Sequence, residues 1–375
     1  MKGNYKRRCI QRMGSRKIVY LDFLKAVAIF LVIFNHTGTR GFFLFSERQS
    51  SLLYPVYLFL SLACKPAVPL FWMVSGALLL PKEESISRVY KHRILRMATV
   101  LVLFSLFHYF FLVCWESREF NLVEFLIKLY TFRHATSYWF IYNYIGMMMI
   151  LPFLRNLSRS MTRSHFVYLF FLILFMRGVI PIIQYLVSTI PGVRAVTNGN
   201  VLMMNSDLTA NLFSSNVLYF MGGYYFTKYL TDDDLTWKHA FLWNSAGFLA
   251  IIISCLMTQY KINITGQTAE ANAQTFYNNL IVIPTFAVFY TTRLYFSRRS
   301  VSDNIKKIII IFGNSAFGIM LCENALRIKL DFLYHSIYSR IPSLLSCFIW
   351  ITVVYLSGFL ITRLFKMVPC LKELI

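Results

Sequence analysis

The chain has 375 residues, of which 57% are hydrophobic, 17% aromatic and only 14% charged, where a soluble protein carries about 25% charged residues. Apolar runs of about 20 residues recur, long enough to cross a bilayer as helices, which excludes a soluble globular enzyme and a disordered chain and argues against an outer-membrane barrel, whose strands alternate over ~10 residues. The net charge of +22 lies in short basic clusters between the apolar runs, the pattern of cytoplasmic loops rather than of a nucleic-acid-binding surface.

In chain order, spanning helices are predicted over residues 18–37, 65–81, 94–115, 137–154, 165–187, 211–230, 239–258, 276–296, 307–326 and 343–365. The fold class is therefore an all-α integral membrane protein, about ten transmembrane helices in one bundle. Residues 1–17 form a basic cytoplasmic segment, 18–366 the membrane domain and 367–375 a cytoplasmic tail. The basic segment resembles the start of a signal peptide. Asp22 and Lys25 interrupt the apolar run behind it, and no small-residue cleavage site follows, so the first span is expected to be retained.

That first span reads IVYLDFLKAVAIFLVIFNHTG. Ionisable residues near the centre of a span cost roughly 2.5–3.5 kcal/mol each on insertion scales. At about 100° per residue, Lys25 and His36 fall within roughly 20° of one another around the helix, and Asp22 within roughly 40° of His36. All three share a face. Two readings fit. In one, Lys25 snorkels to the inner interface with Asp22 paired to it, and His36 caps the outer end. In the other, the charged pair is the entrance to a conduit with His36 deeper along it.

Residues 52–64 are apolar but too short to span alone, and suit a re-entrant or interfacial piece leading into the second span. The next loop, PKEESISRVYKHRILRMATVLVLF, puts Arg93 and Arg96 one helical turn apart at the mouth of the third span. They read either as ordinary positive-inside charge or as an anion clamp, because guanidinium forks suit phosphate oxygens. Residues 122–132, with Glu124 and Lys128 at i,i+4, read as an interfacial helix. Arg177 and Gln184 interrupt the fifth span. His108 reads as a hydrogen-bonded interior residue. Glu323, in the ninth span, is a buried carboxylate that needs a partner or a task.

Most of the 38 Lys and Arg residues fall in the segments placed inside when both termini are cytoplasmic. The last outer loop runs against that bias, with Arg327, Lys329 and Arg340 against one Asp331. The seven cysteines are scattered without C-x-x-C spacing, which argues against a zinc site or a disulfide framework.

These pieces, taken together, resemble the membrane acyltransferase 3 family, and within it the bacterial surface-polysaccharide O-acetyltransferases. YLDFLKAVAIFLVIFNH is similar to the family's first span, with its basic-x10-His pattern at Lys25 and His36. KPAVPLFWMVSGALL is similar to the second, ending in Ser75-Gly76. RVYKHRILRM resembles the Arg-x-x-Arg loop at Arg93 and Arg96. SYWFIYNYIGMMMILPFL resembles the Trp-Phe span leading to a proline, at Trp139 and Pro152. YFMGGYYF and FGNSAFGIMLCENALR resemble two later spans. The order is kept over residues 18–325. Three positions depart from the pattern. The late motif often carries histidine where this chain has Glu323 and tyrosine where it has Met320, and the first-span cation is Lys25 rather than the commoner arginine.

The resemblance implies an O-acyltransferase of the bacterial inner membrane, with no bound cofactor or metal. It would move acetyl from acetyl-CoA, a cosubstrate on the cytoplasmic side, to a hydroxyl of a surface or lipid-linked glycan. On that reading His36 is the general base or a transient acyl carrier and Glu323 a second catalytic group. Lys25, Arg93 and Arg96 hold the acyl-CoA, while Asp22, Ser75 and Trp139 support. Histidine suits base catalysis because imidazole titrates near neutrality. The alternative is a polysaccharide or lipid-linked sugar transporter with no acyl transfer.

Overall fold

Backbone groups in hydrocarbon must find partners within their own segment, so apolar runs of this length become helices. The computed structural model contains helices and no strand among the described residues. It describes residues 2–131, 133–197, 200–201, 214–266, 276 and 279–375, with side chains from Val19 onward. The side chains of the basic segment 1–17, and parts of the ranges expected for the sixth and eighth spans, lie outside the described residues.

The helices that build the bundle are α1 (Lys2–Asn35), α2 (Tyr54–Ala63), α3 (Ala67–Leu79), α4 (Ile86–Trp115), α5 (Leu122–Thr131), α6 (Trp139–Ser160) and α7 (Arg163–Ser188). They continue with α8 (Ser215–Lys228), α9 (Trp237–Thr265), α10 (Val282–Arg298), α11 (Asp303–Lys329), α12 (Asp331–Tyr338), α13 (Ser343–Phe365) and α14 (Pro369–Leu374). A helix falls across each of the ten expected ranges. Six stretches among the described residues are long and apolar enough to cross a membrane: 54–79, 86–115, 163–188, 237–265, 303–329 and 343–365.

The expected short piece over 52–64 is a helix of its own over residues 54–63, leading into the second span. This helix, α2, runs through a break at residues 64–66 into α3, and the pair makes one 26-residue apolar stretch. Pro66 has no N–H to continue the ladder. The Cys64 carbonyl at the break accepts from the Ala67 N–H at 3.4 Å and also from Asn35 Nδ2 at 3.3 Å. The break thereby ties the start of α3 to the end of α1, next to His36.

α1 is the centre of the bundle and packs against α3, α10, α11 and α13. Leu24, Ala28, Ile29 and Ile33 on it are fully buried. α7 and α9 lie at the periphery and leave Phe171, Phe241 and Phe248 exposed, as a lipid-facing surface would. α3 and α8 approach so closely that a Cβ on Gly76 would meet the Phe220 carbonyl, and one on Gly223 the Met73 carbonyl. Small residues permit this backbone contact in membrane bundles. It drives Trp72 inward, against Phe140, Tyr144 and Phe220.

Two helices contain a π-turn, at Tyr90–Ile94 in α4 and at Leu174–Val179 in α7. The second carries Arg177. The first lies between the chain entering α4 and Arg96, and it changes the facing of Arg93 relative to Arg96 from what uniform helix would give. α5 is the expected amphipathic helix, with Glu124 bridging Lys128 and Arg118 and accepting from Tyr109. The expected tail is partly helical: α14 folds back, and Leu374 reaches Arg96.

Candidate active site

Two cavities lie along α1, and both are walled by α1, α3 and α6. The first, about 310 Å³, is lined by Lys25, Phe71, Ser75, Arg96, Phe140 and Tyr144. The second, about 420 Å³, is lined by Val32, His36, Lys65, Pro69, Trp139 and Tyr219. Trp139 and Phe140 are consecutive at the start of α6, one ring lining each cavity, with centroids 6.2 Å apart.

The structure brings Lys25, Ser75 and Arg96 together in the first cavity. Asp22 is buried and pairs with Lys25 Nζ at 2.5 Å. Gly313 of α11 lies directly on the Asp22 backbone, so α1 and α11 are in close contact at this point. Arg96 donates from Nε and Nη2 to the Leu374 carbonyl, at 3.2 and 3.0 Å. Its fork holds a carbonyl oxygen at the mouth of the cavity.

Arg93 stands elsewhere. Its guanidinium makes a two-pronged pair with Glu84, at 2.9 and 2.7 Å. Arg155, buried within α6, joins the same carboxylate at 2.7 Å and also donates to the Leu79 carbonyl. Hydrogen bonds from Arg93 first, and then from Arg155 against the cost of burial, hold the Glu84 carboxyl down to about 2. Glu84 thus clamps the starts of α4 and the far end of α6 to the loop after α3.

His36 follows the last residue of α1. Its Nδ1 lies 3.0 Å from Glu323 Oε1. Glu323 is fully buried, and its other oxygen accepts from Arg327 Nε at 2.6 Å. Arg327 Nη1 donates in turn to the backbone carbonyl of His36 at 2.7 Å. An ionised carboxylate can only accept, so the neutral imidazole places its hydrogen on Nδ1, toward Glu323, and its lone pair on Nε2. Imidazole, carboxylate and guanidinium form a closed ring of bonds that fixes the orientation of His36.

The segment around Glu323 is held from a second side. Ser137 and Tyr138 hydroxyls donate to the Met320 and Leu321 carbonyls. Asn324 bridges Thr136 and His108 at 2.8 Å each. His108 is hydrogen-bonded in the interior, as its sequence setting suggests. The turn that supplies Thr136, Ser137 and Tyr138 runs straight into Trp139, so one turn positions both the Glu323 backbone and the cavity wall.

Arg327 is the site residue that sequence reasoning passed over. The signal was present as Glu323-x-x-x-Arg327, an i,i+4 acid–base pair on one helix face. Lys65, Asn35 and Tyr219 carried no comparable pattern.

Comparison with known proteins gives one result. The family model described as an acyltransferase domain matches residues 18–363, nearly the whole chain. No curated protein and no solved structure matches.

Proposed function

The chain belongs to the membrane acyltransferase 3 family, and from that premise we propose that it is an O-acetyltransferase of the bacterial inner membrane, with ten spans and both termini cytoplasmic. It would move acetyl from cytoplasmic acetyl-CoA to a hydroxyl of a cell-surface or lipid-linked glycan. The observation that carries this reading is His36, held by Glu323 and Arg327 with Nε2 free, lining one of two cavities that follow the same three helices.

In the proposed reaction the acyl-CoA enters the cavity of Lys25, Ser75 and Arg96. Ammonium and guanidinium there offset the charge of its phosphates or polarise the thioester carbonyl. Its acyl end extends toward His36. The acceptor hydroxyl approaches from the His36 cavity. Nε2 takes the hydroxyl proton as the oxygen bonds to the thioester carbon. The C–S bond then breaks, and the same proton passes to the departing sulfur, giving ester and free CoA thiol. Glu323 stabilises the imidazolium that forms in between. A base so placed contributes roughly 10²–10⁴ in rate.

Arg93, expected from the sequence to hold the donor, is engaged with Glu84, which supports a bracing task for it. Arg96 keeps the donor-holding role, with Leu374 as the carbonyl it releases.

The test uses membranes with wild-type or His36→Ala protein at equal abundance, given acetyl-CoA labelled on the acetyl group. Label is expected in alkali-labile ester on extracted glycan from the wild type alone. Equal label from both would remove His36 as the base. Label from neither, with the glycan pool shown to be present, would overturn acetyl-CoA as donor.

A further inference from the structure

The last turn of α11 carries Arg327 and Lys329, and the loop after α12 carries Arg340, on the side expected to face outward and against the positive-inside bias, which calls for a compensating task. Two of these line a cavity of about 490 Å³ between the ends of α4 and α11, α12, α13 and the loop after α1. Its walls are the rings of Trp115, Phe332 and Trp350, and its cations are Arg40, Arg327 and Lys329.

The charges differ in what they already hold. Arg40 is committed to Asp331 and lies over the Tyr334 and Trp350 rings, 5.3 Å from each centroid. His335 also meets Asp331, at 3.4 Å. Arg327 is committed to Glu323 through Nε, but its Nη2 is buried without a partner. Lys329 lies 4.6 Å over Trp115 with no carboxylate within ion-pair reach among the described residues. The cavity therefore holds an uncompensated cation beside flat apolar faces. That combination suits a ring-shaped ligand bearing one anionic group, since the faces pack against the ring's C–H surface and the cation takes the charge.

We propose that this cavity is a docking subsite for an acidic sugar residue, carrying a carboxylate or phosphate, so that the acceptor of the reaction is an anionic glycan. The identification of the ligand as acceptor rests on the acyl-transfer reading above. The cavity backs onto the reacting pair through Arg327, which lines it and whose guanidinium braces Glu323 and the His36 carbonyl. A neutral sugar would leave Lys329 without its anion. An acyclic anionic lipid headgroup such as phosphatidylglycerol shares the charge but not the ring that three aromatic faces would hold.

The experiment measures binding by calorimetry on purified protein in a neutral detergent, with no acyl donor present. The probes are a glucuronate-containing tetrasaccharide, the neutral tetrasaccharide chitotetraose and short-chain phosphatidylglycerol. The acidic saccharide is expected to bind at least about tenfold more tightly than the neutral one, as a charge-assisted contact requires. Lys329→Gln should remove that preference and Lys329→Arg should keep it, with thermal unfolding of both variants checked against wild type. Equal affinity for the two saccharides, or a preference that survives Lys329→Gln, would overturn the proposal. Tighter binding of phosphatidylglycerol than of the acidic saccharide would overturn it in favour of a lipid. Because no donor is present, loss of acyl transfer in the labelling assay leaves this result independent.

Discussion

A carboxylate against Nδ1 of an imidazole selects the tautomer and stabilises the charge that appears when Nε2 takes a proton. Glu323→Gln keeps the shape and loses both effects, because an amide can present a donor to Nδ1. Acetyl transfer should fall by about 10²–10⁴ in initial rate at equal protein abundance. Since the two groups act as one unit, the double variant with His36→Ala should be no slower than His36→Ala alone. The two loop arginines separate in the same way. Arg96→Gln should raise the KM for acetyl-CoA while leaving yield unchanged. Arg93→Gln should instead lower thermal stability in detergent, because it strips one side of the Glu84 clamp. The facing of Lys25 and His36 was legible from helical arithmetic alone, because a single helix carries both. The partnership of His36 with Glu323 was not, because 287 positions separate them and only tertiary packing brings them together.

Helix-to-helix contact carries the next set of consequences. Gly76 and Gly223 let α3 and α8 meet backbone to backbone, and a Cβ at either would strike a carbonyl rather than a movable side chain. Gly223→Ala should therefore reduce the yield of folded protein in membranes more than overpacking of an ordinary core site, which costs about 1–3 kcal/mol. Glu84 holds Arg93 and the buried Arg155 at once. Glu84→Gln leaves Arg155 without its anion and should cost about 3 kcal/mol in denaturant unfolding. The carboxyl is held down to about 2 in the fold, below its ordinary value. Its contribution is therefore full at neutral pH, begins to fade as pH falls through the ordinary carboxylate range, and is gone once pH passes about 2. Wild type should lose stability over that acid window more steeply than Glu84→Gln. Helix positions were readable from apolar run length. That α2 and α3 together make one stretch long enough to cross a membrane was not, because thirteen apolar residues ahead of a proline look like a short piece by themselves. The π-turn at Tyr90–Ile94 was equally silent, and with it the split between Arg93 and Arg96.

For the molecule as a whole, the two cavities along α1 predict sidedness. Acetyl-CoA supplied to inverted vesicles should be used, and acetyl-CoA supplied to right-side-out vesicles should not. Activity with donor outside right-side-out vesicles would reverse the assigned orientation. The family was legible in the order of its motifs, whereas the cavity of Arg40, Arg327 and Lys329 was not, since its walls come from four helices and a loop far apart in the chain.

The neighbouring rings of Trp139 and Phe140, one facing each cavity, have an electrical consequence. If donor and acceptor meet there from opposite sides, CoA leaves by the side from which it came. The hydroxyl proton goes to its sulfur at the same place. The acyl group passes outward and the hydroxyl hydrogen passes inward on the CoA thiol, an exchange that moves no net charge across the membrane. Carrying one elementary charge through 100 mV is worth about 2.3 kcal/mol, and the transferred group carries none. A potassium diffusion potential of either sign, imposed with valinomycin, should leave the rate of acetyl delivery across the bilayer unchanged. The cell would then modify its surface at the expense of a thioester bond alone, with no draw on the ion gradient.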